Sequence, residues 1–335
     1  VGLAGTVHVT SNAPAAKGMT GHDWDGSNAL VRLNEDGTVS LFTGEVDLGE
    51  GVATTLAMVV AEELGLPHDR VFVYPVDTDI SPYCLGTYAS RTTFMGGLAA
   101  RNAAREARDQ LFGIAAELLG ISPAALEAKD GVVRVKGDPG RSAPFGKVVH
   151  AGFNRGLNAI TGRGTMASKV DFEPTTKYGN QTLTYSFACH AAEVEVDRET
   201  GAVRVLKLAA AHDLGRVINR LGAEGQVEGG AVQSMGLALS EQLLQRDGKV
   251  LNPNFVDYRI PSSLDAPPIE VAFVETLDPH GPYGAKGLAE TAINPTAAAI
   301  ANAIFHATGV RVTSLPITAE KVLAGLAELR KAAGA

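Results

Sequence analysis

Apolar and polar positions alternate with a period of two at residues 29–33 and again at 39–43, on either side of Asp36-Gly37. Alternation interrupted by a pair that readily takes a tight turn predicts a β-hairpin. From 52 to 65 the period lengthens: Leu56, Val59, Val60 and Leu64 recur at helical spacing, and Gly65 with Pro67 supplies a stop. Residues 71–76 read as a strand and 132–135 as another. Between them, 92–119 form an Ala-rich helical stretch with a candidate break at Gly113. The segment from about 137 to 182 is rich in Gly, Pro, Asn and Thr, contains one short helical window at 144–151, and predicts a passage between two lobes. Beyond it, strands are expected at 190–196 and 203–210, a small-residue helix at about 223–238, a hairpin around Asp247-Gly248, and a strand at 270–274. Asn294-Pro295 predicts a helix opening, because Asn caps well and Pro suits the first helical position. An amphipathic helix at 318–330 closes the chain.

The succession of strand pair, helix, strand and helix occurs twice, which predicts an α+β fold of two similar mixed α/β lobes. The expected division is an extended N-terminal arm at 1–25, a first lobe at 26–150, an inter-lobe passage at 151–182 and a second lobe at 183–335. A length of 335 residues accommodates two such cores. The net charge is −8 and the basic residues are scattered, which argues against nucleic acid or an anionic membrane as partner. No window reaches the roughly 18 apolar residues a membrane span needs, and the start shows no signal-peptide pattern. Cys84 and Cys189 stand alone, which argues against a zinc or iron–sulfur site within the chain. A cytoplasmic protein with two reduced thiols is the expectation. Glycine is in excess, 38 residues against the roughly 7% of average usage, so tight turns and close backbone approaches are expected.

Four segments combine such glycines with polar groups next to helical windows. They are Thr43-Gly44-Glu45-Val46-Asp47-Leu48-Gly49-Glu50-Gly51, Gly86-Thr87-Tyr88-Ala89-Ser90-Arg91-Thr92-Thr93, Gly225-Gln226-Val227-Glu228-Gly229, and Gly284-Ala285-Lys286-Gly287-Leu288-Ala289-Glu290. In order and spacing they resemble the second molybdenum-cofactor-binding domain of the molybdenum hydroxylase (xanthine oxidase) family, and the resemblance extends over nearly the whole chain. The wording is similar to the hydroxybenzoyl-CoA reductase and nicotinate dehydrogenase branches, with this domain as a separate subunit.

The resemblance implies a role for each residue. Glu290 would be the general base, acting on a molybdenum-bound hydroxyl whose oxygen attacks an electron-poor carbon. On the residues alone, Glu290 is expected in a turn just ahead of a helix, a position that favours the ionised form, as would Lys286 if it faces the same way. Gly49, Glu50 and Gly51 would cradle polar edges of the cofactor. Thr87, Tyr88 and Ala89 would lie beside the metal, Ser90 and Arg91 would hold the cofactor, and Lys286 and Gly287 would complete the binding loop. Gln226, Gly229, Gly230 and Gln233 share one helix face, which suits either a flat ring or helix–helix contact. No residue is expected to ligate the metal directly, since the pterin dithiolene would hold molybdenum. His8, His22 and His68 have no spaced partners and are expected at the surface.

Two departures from the family pattern stand out. Glu50 replaces a Gln, trading a donor-acceptor for an acceptor, and Ala289 and Thr291 flank Glu290 where Gly and Pro are usual. The implied cofactor is molybdopterin with molybdenum, bare or as a cytosine dinucleotide. Gly162-Arg163-Gly164 is no dinucleotide loop, so electrons would have to leave through companions: a large molybdopterin-binding subunit, a 2Fe-2S iron–sulfur subunit and an FAD subunit. The expected reaction is hydroxylation of a small N-heteroaromatic substrate. Reductive dehydroxylation of an aromatic CoA thioester and a non-catalytic structural subunit are the alternatives.

Overall fold

The hairpin around Asp36-Gly37 forms with Ala29 opposite Thr43 and Leu33 opposite Val39. It is the centre of the first of two four-stranded sheets in the computed structural model, which describes residues 1–12, 17, 18, 21, 24–154, 156, 159–173 and 178–334. In chain order the elements are β1 (Gly2–Thr10), β2 (Asp25–Leu33), β3 (Val39–Thr43), α1 (Val52–Leu64), β4 (Val71–Val73), α2 (Gly97–Leu119), β5 (Leu126–Lys129), β6 (Val132–Val135), β7 (Asp138–Pro144), α3 (Phe145–Phe153) and β8 (Thr161–Ser168). Then follow β9 (Thr184–Val196), β10 (Val203–Asp213), α4 (Arg220–Leu239), β11 (Ile269–Val274), α5 (Glu290–Ile293), α6 (Thr296–Thr308) and α7 (Ala319–Ala332).

The first sheet has the order β4-β3-β2-β8 and the second the order β1-β9-β10-β11. Each consists of three antiparallel neighbours with one parallel strand at an edge. The expected α+β architecture of two similar units is therefore present. Helices cover one face of each sheet. Val31, Leu33 and Leu41 meet Leu56, Val60, Leu64 and Leu111 in one core, while Ala192, Val205 and Leu208 meet Ala231, Ile300, Ile304, Val322 and Leu326 in the other. Each fully buried Leu, Ile or Val contributes roughly 1.5–3 kcal/mol of transfer free energy.

Several elements differ from the sequence expectation. Residues 2–10 are extended, but as strand β1 they join the second sheet, with Leu3 opposite Ala191 and Val7 opposite Phe187. Residues 161–168, which fall inside the expected inter-lobe passage, form β8 against β2. Its glycines explain why alternation does not betray it. A Cβ on Gly162 would lie 1.9 Å from the Ala103 carbonyl oxygen, and one on Gly164 equally close to that of Ala99, so α2 lies directly on the strand's backbone. Gly113 does not break α2, which runs through it. Residues 92–96, expected as ordinary helix, form a π-helical turn at its start. The helix expected to open at Asn294-Pro295 is present as α6, and an additional short helix, α5, precedes it at residues 290–293. The helix expected at 318–330 is α7, and Thr318 caps it by accepting from the Lys321 amide. His68 is exposed and His8 half-buried; His22 lies outside the described residues.

Candidate functional site

The loops leading into α1, the π-helical turn and α5 converge on one cleft of about 410 Å³. Gly49, Glu50, Thr87, Tyr88, Ser90, Arg91, Gln226 and Glu290 line it. Gly51, Ala89, Lys286 and Gly287 do not; they shape the walls behind.

Arg91 organises the first wall. It is fully buried, and its Nε donates to Asp25 Oδ1 at 2.8 Å. Nη1 reaches the Gly86 carbonyl at 2.7 Å, Glu45 at 3.4 Å and Cys84 Sγ at 3.3 Å. Nη2 donates to the Gly26 carbonyl and Ser27 Oγ, both at 2.6 Å. Burial by itself would disfavour the charged guanidinium, but the Glu45 and Asp25 carboxylates outweigh it and hold Arg91 more firmly protonated than usual. The Glu45 carboxyl is pushed up by burial, with Arg91 opposing. The Arg91 guanidinium thus points into the first lobe, while the residue still lines the cleft. Its network pins the preceding turn, where Ala89 and Ser90 sit at φ of +48° and +54°. Two consecutive non-glycine residues in the left-handed region cost of order 1–3 kcal/mol each and persist only where surroundings over-determine them.

The second wall is the loop 281–290. Gly287 lies flush against the first wall: an added Cβ would be 1.8 Å from the Ser90 carbonyl oxygen. Its amide donates to Thr10 Oγ1 at 3.2 Å and its carbonyl accepts from Ser186 Oγ at 2.6 Å. Lys286 does not turn toward Glu290. Its ammonium pairs with Asp213 at 2.8 Å, donates to Thr276 and sits 5.4 Å from the centre of the Phe187 ring. The support for an ionised Glu290 expected from Lys286 is therefore absent. Burial works to raise the Asp213 carboxyl, but the bonds from Lys286 and Thr276 prevail and hold it below its ordinary value. At the head of the loop, Tyr283, at φ +54°, reaches across to the first lobe and donates to Glu63 at 2.9 Å. Glu63 also accepts from Arg105 and Arg108. Burial, then the Glu63 charge, raises the Tyr283 phenol well above its ordinary range.

Glu290 opens α5, and Ser90 Oγ donates to its Oε2, so the two walls meet at this carboxylate. Ala289, at φ −166° and ψ −77°, is the residue from which α5 starts.

Three local features define the cradle. Gly49 N–H is already taken by Asp47 Oδ1 at 2.8 Å, and Glu50 Oε2 accepts from the Leu48 amide at 2.6 Å. On α4, Gln226 reaches the cleft, whereas a Cβ on Gly230 would lie 2.6 Å from the Ala292 side chain, so that part of the face serves helix–helix contact. Gly225 lies within the second turn of α4 rather than at its start, because Asn219 caps the helix earlier. Arg216 and Asn219 border a smaller hollow of about 60 Å³ that shares Glu50, Thr92, Gln226 and Leu288 with the cleft. An Asn just ahead of the helix expected at about 223–238 is the available signal for Asn219.

Two buried polar atoms on residues of the cleft wall, Glu50 Oε1 and Tyr88 OH, have no partner among the described residues. The Tyr88 phenol is pushed up to about 12 by burial and by the Asp25 charge, so it remains a donor. Buried atoms of this kind are normally satisfied. One unpaired acceptor and one unpaired donor on residues that line the cleft fit a heterocyclic group.

Residues 1–267 match the family model of the molybdopterin cofactor-binding domain. The chain belongs to the molybdopterin cofactor-binding domain family. Among curated relatives, this domain is 32% identical over 311 residues to the 6-hydroxypseudooxynicotine dehydrogenase complex subunit gamma of Paenarthrobacter nicotinovorans, covering 90% of the chain and 38% of the relative. It is 33% identical over 308 residues to a putative xanthine dehydrogenase molybdenum-binding subunit of Escherichia coli K12, covering 90% and 40%. Quinoline 2-oxidoreductase from Pseudomonas putida 86 superposes with a TM-score of 0.85 at 30% identity, over 98% of this chain and 42% of that one. The domain thus spans about two fifths of the length of these relatives, and the expected kinship with the xanthine oxidase family is borne out.

Proposed function

We propose that this molybdopterin-binding domain contributes the general base to a molybdenum hydroxylase whose remaining cofactor cradle comes from another polypeptide. The observation that carries the reading is Glu290: it stands on the cleft at the junction of both walls, with Ser90 fixing one of its oxygens. Glu50 Oε1, Tyr88 OH and Gln226 would hold the pterin, bare or as its cytosine dinucleotide. When bound, that group supplies two-electron redox chemistry and activation of water. Ser90 occupies Oε2 and orients the carboxylate, leaving Oε1 to take a proton in the cleft. Tyr88 confines the approach of a flat substrate through its ring. Both walls exclude water from the side of the first lobe, because the Arg91 network behind them is dry.

The substrate class is an electron-poor N-heteroaromatic, and electrons pass onward to a 2Fe-2S and an FAD subunit. Support comes from two relatives named for such compounds, a 6-hydroxypseudooxynicotine dehydrogenase subunit and a quinoline 2-oxidoreductase. Glu290→Gln tests the reading: the rate of substrate hydroxylation by the assembled enzyme should fall on the order of 10²–10⁴-fold, with molybdenum content unchanged. Unchanged turnover, or an intact active assembly that contains no molybdenum, would overturn it.

A further inference from the structure

At residues 10–12 the chain leaves the second sheet, and each of the three ties down a different part of the cleft. Thr10 and Ser11 are fully buried. Thr10 Oγ1 accepts from the Gly287 amide on the second wall at 3.2 Å. The Ser11 amide donates at 2.9 Å to the carbonyl of Ala89, the first residue of the left-handed turn on the first wall. The Asn12 amide donates at 3.2 Å to Asp25 Oδ2, on one of the two carboxylates around Arg91. The direction of the hydroxyl hydrogen bonds follows from proton count, since each hydroxyl has one proton to give. Ser186 Oγ spends its proton on the Gly287 carbonyl at 2.6 Å, because a carbonyl oxygen only accepts. Thr10 Oγ1, 3.1 Å from Ser186 Oγ, is therefore the donor of that pair. A ring closes: Gly287 N–H to Thr10, Thr10 to Ser186, and Ser186 back to the Gly287 carbonyl. By the same count Thr182 donates to the Thr10 carbonyl, so Ser11 Oγ donates to Thr182 Oγ1 at 3.3 Å. Ser11 sits at φ +79°, a conformation that a serine keeps only where its surroundings hold it.

We propose that Thr10, Ser11, Thr182 and Ser186 form a clasp that sets the two walls against each other and so aims Glu290. They are positioning residues: none of the four lines the cleft. Their effect on the reaction rests on the reading of Glu290 as the base. The circuit closes at the carboxylate. Gly287 is pressed against the Ser90 carbonyl with no room for a Cβ. Ser90 Oγ donates to Glu290 Oε2 and accepts from the Glu290 amide at 3.4 Å. From Thr10 the path runs through Gly287 to Glu290, crosses to Ser90, and returns through Ala89 to Ser11, the neighbour of Thr10. Apolar side chains of the same shape would fill the space but would leave the amide and carbonyl of buried Gly287 without partners. A fully satisfied buried network of this kind selects one arrangement of the segments it joins.

The test uses the native assembly, purified through a tag on this chain, with quinoline as the substrate probe. Amide hydrogen exchange, resolved to single residues by fragmentation in the mass spectrometer, gives a readout independent of turnover. Thr10→Val keeps the shape and removes the hydroxyl. It should lower kcat by about ten- to a hundredfold, the scale of a misplacement of up to about 1 Å, with KM within about twofold and molybdenum content unchanged. Exchange should quicken at Gly287 and, across the clasp, at Glu290 and Ser11, while α7 stays as it was. Thr10→Ser, which keeps the hydroxyl, should restore both rate and exchange. Ser90→Ala opens the circuit at its far end, so adding Thr10→Val to it should lower kcat by less than about threefold more, as coupled residues do. If Thr10→Val does not fold, Ser186→Ala, which breaks the ring at the Gly287 carbonyl, carries the same expectations. Where Glu290→Gln abolishes turnover, full kcat in Thr10→Val overturns the clasp and leaves the base reading standing. An unchanged Glu290 amide, failed rescue by Thr10→Ser, or full additivity with Ser90→Ala overturns it too. If Glu290→Gln turns over normally while Thr10→Val still quickens the Glu290 amide, the base reading falls and the clasp stands. Where quinoline is not turned over, the exchange pattern and its rescue decide.

Discussion

The first wall of the cleft is held by a fully buried ionic cluster, whereas the second sets the Lys286–Asp213 pair beside mostly neutral groups. Behind Ala89 and Ser90 stand one guanidinium and two carboxylates, all out of water. Behind Glu290 the anchors are backbone contacts of Gly287, two hydroxyls, and a histidine pair that steadies the following helix. His190 and His212 lie 2.8 Å apart through their Nε2 atoms, and His190 Nδ1 meets Thr296 Oγ1 at 2.7 Å, at the start of α6. Burial lowers both imidazoles to about 4, with His190 adding to the effect on His212. A buried ionic cluster fixes geometry stiffly but fails badly when one member is lost. Neutral contacts yield by degrees. The wall that carries strain is therefore rigid, while the wall that carries the carboxylate can be tuned.

The largest effect should come from breaking the charged wall. Arg91→Met leaves Asp25 and Glu45 buried without their cation and should cost about 3–5 kcal/mol in denaturant unfolding; a loss under about 1 kcal/mol would show that the network does not hold the turn. Acid should act next, and on the neutral wall. The folded histidines titrate near 4 and unfolded ones near 6.5, so between those values the unfolded state binds more protons. Stability is then full above about pH 6.5 and falls as the pH drops toward 4, by roughly 3 kcal/mol for each histidine that must charge. Melting curves across that window should flatten for His212→Phe if the pair is the cause. Gly287→Ala, which drives a methyl into the Ser90 carbonyl, should cost about 1–3 kcal/mol, and it should lower kcat more than it raises KM because Glu290 is displaced. Smallest is Tyr283→Phe, which removes one hydrogen bond to Glu63 and should cost about 0.5–1.5 kcal/mol; hydrogen exchange of amides 284–289 should rise while that of α7 stays put.

Much of this was legible locally. The hairpin at Asp36-Gly37, α1 with its Gly65 stop and α7 with its Thr318 cap each depend on residues a few positions apart, and each stands within a residue or two of its expected bounds. The same holds for Gly49, Glu50, Thr87, Tyr88, Ser90, Gln226 and Glu290, which segment order singled out and the fold brings to one cleft. Illegible were the features made by distant partners. Arg91 looks like an anion-binding residue until Asp25 and Glu45 are seen around it. β8 looks like a linker until α2 is laid on its glycines. Glu63 and Tyr283 lie 220 positions apart, and nothing near either announces the other.

The chain by itself determined the periods, the caps, the stops and the family wording of its loops, because those follow from steric and hydrogen-bonding preferences within a few residues. Only the tertiary structure decided which charges neutralise one another, which sheet β1 joins, and which hydroxyls close around Gly287. Those outcomes depend on desolvation and close packing between segments far apart in sequence, and no local pattern encodes the distance between them.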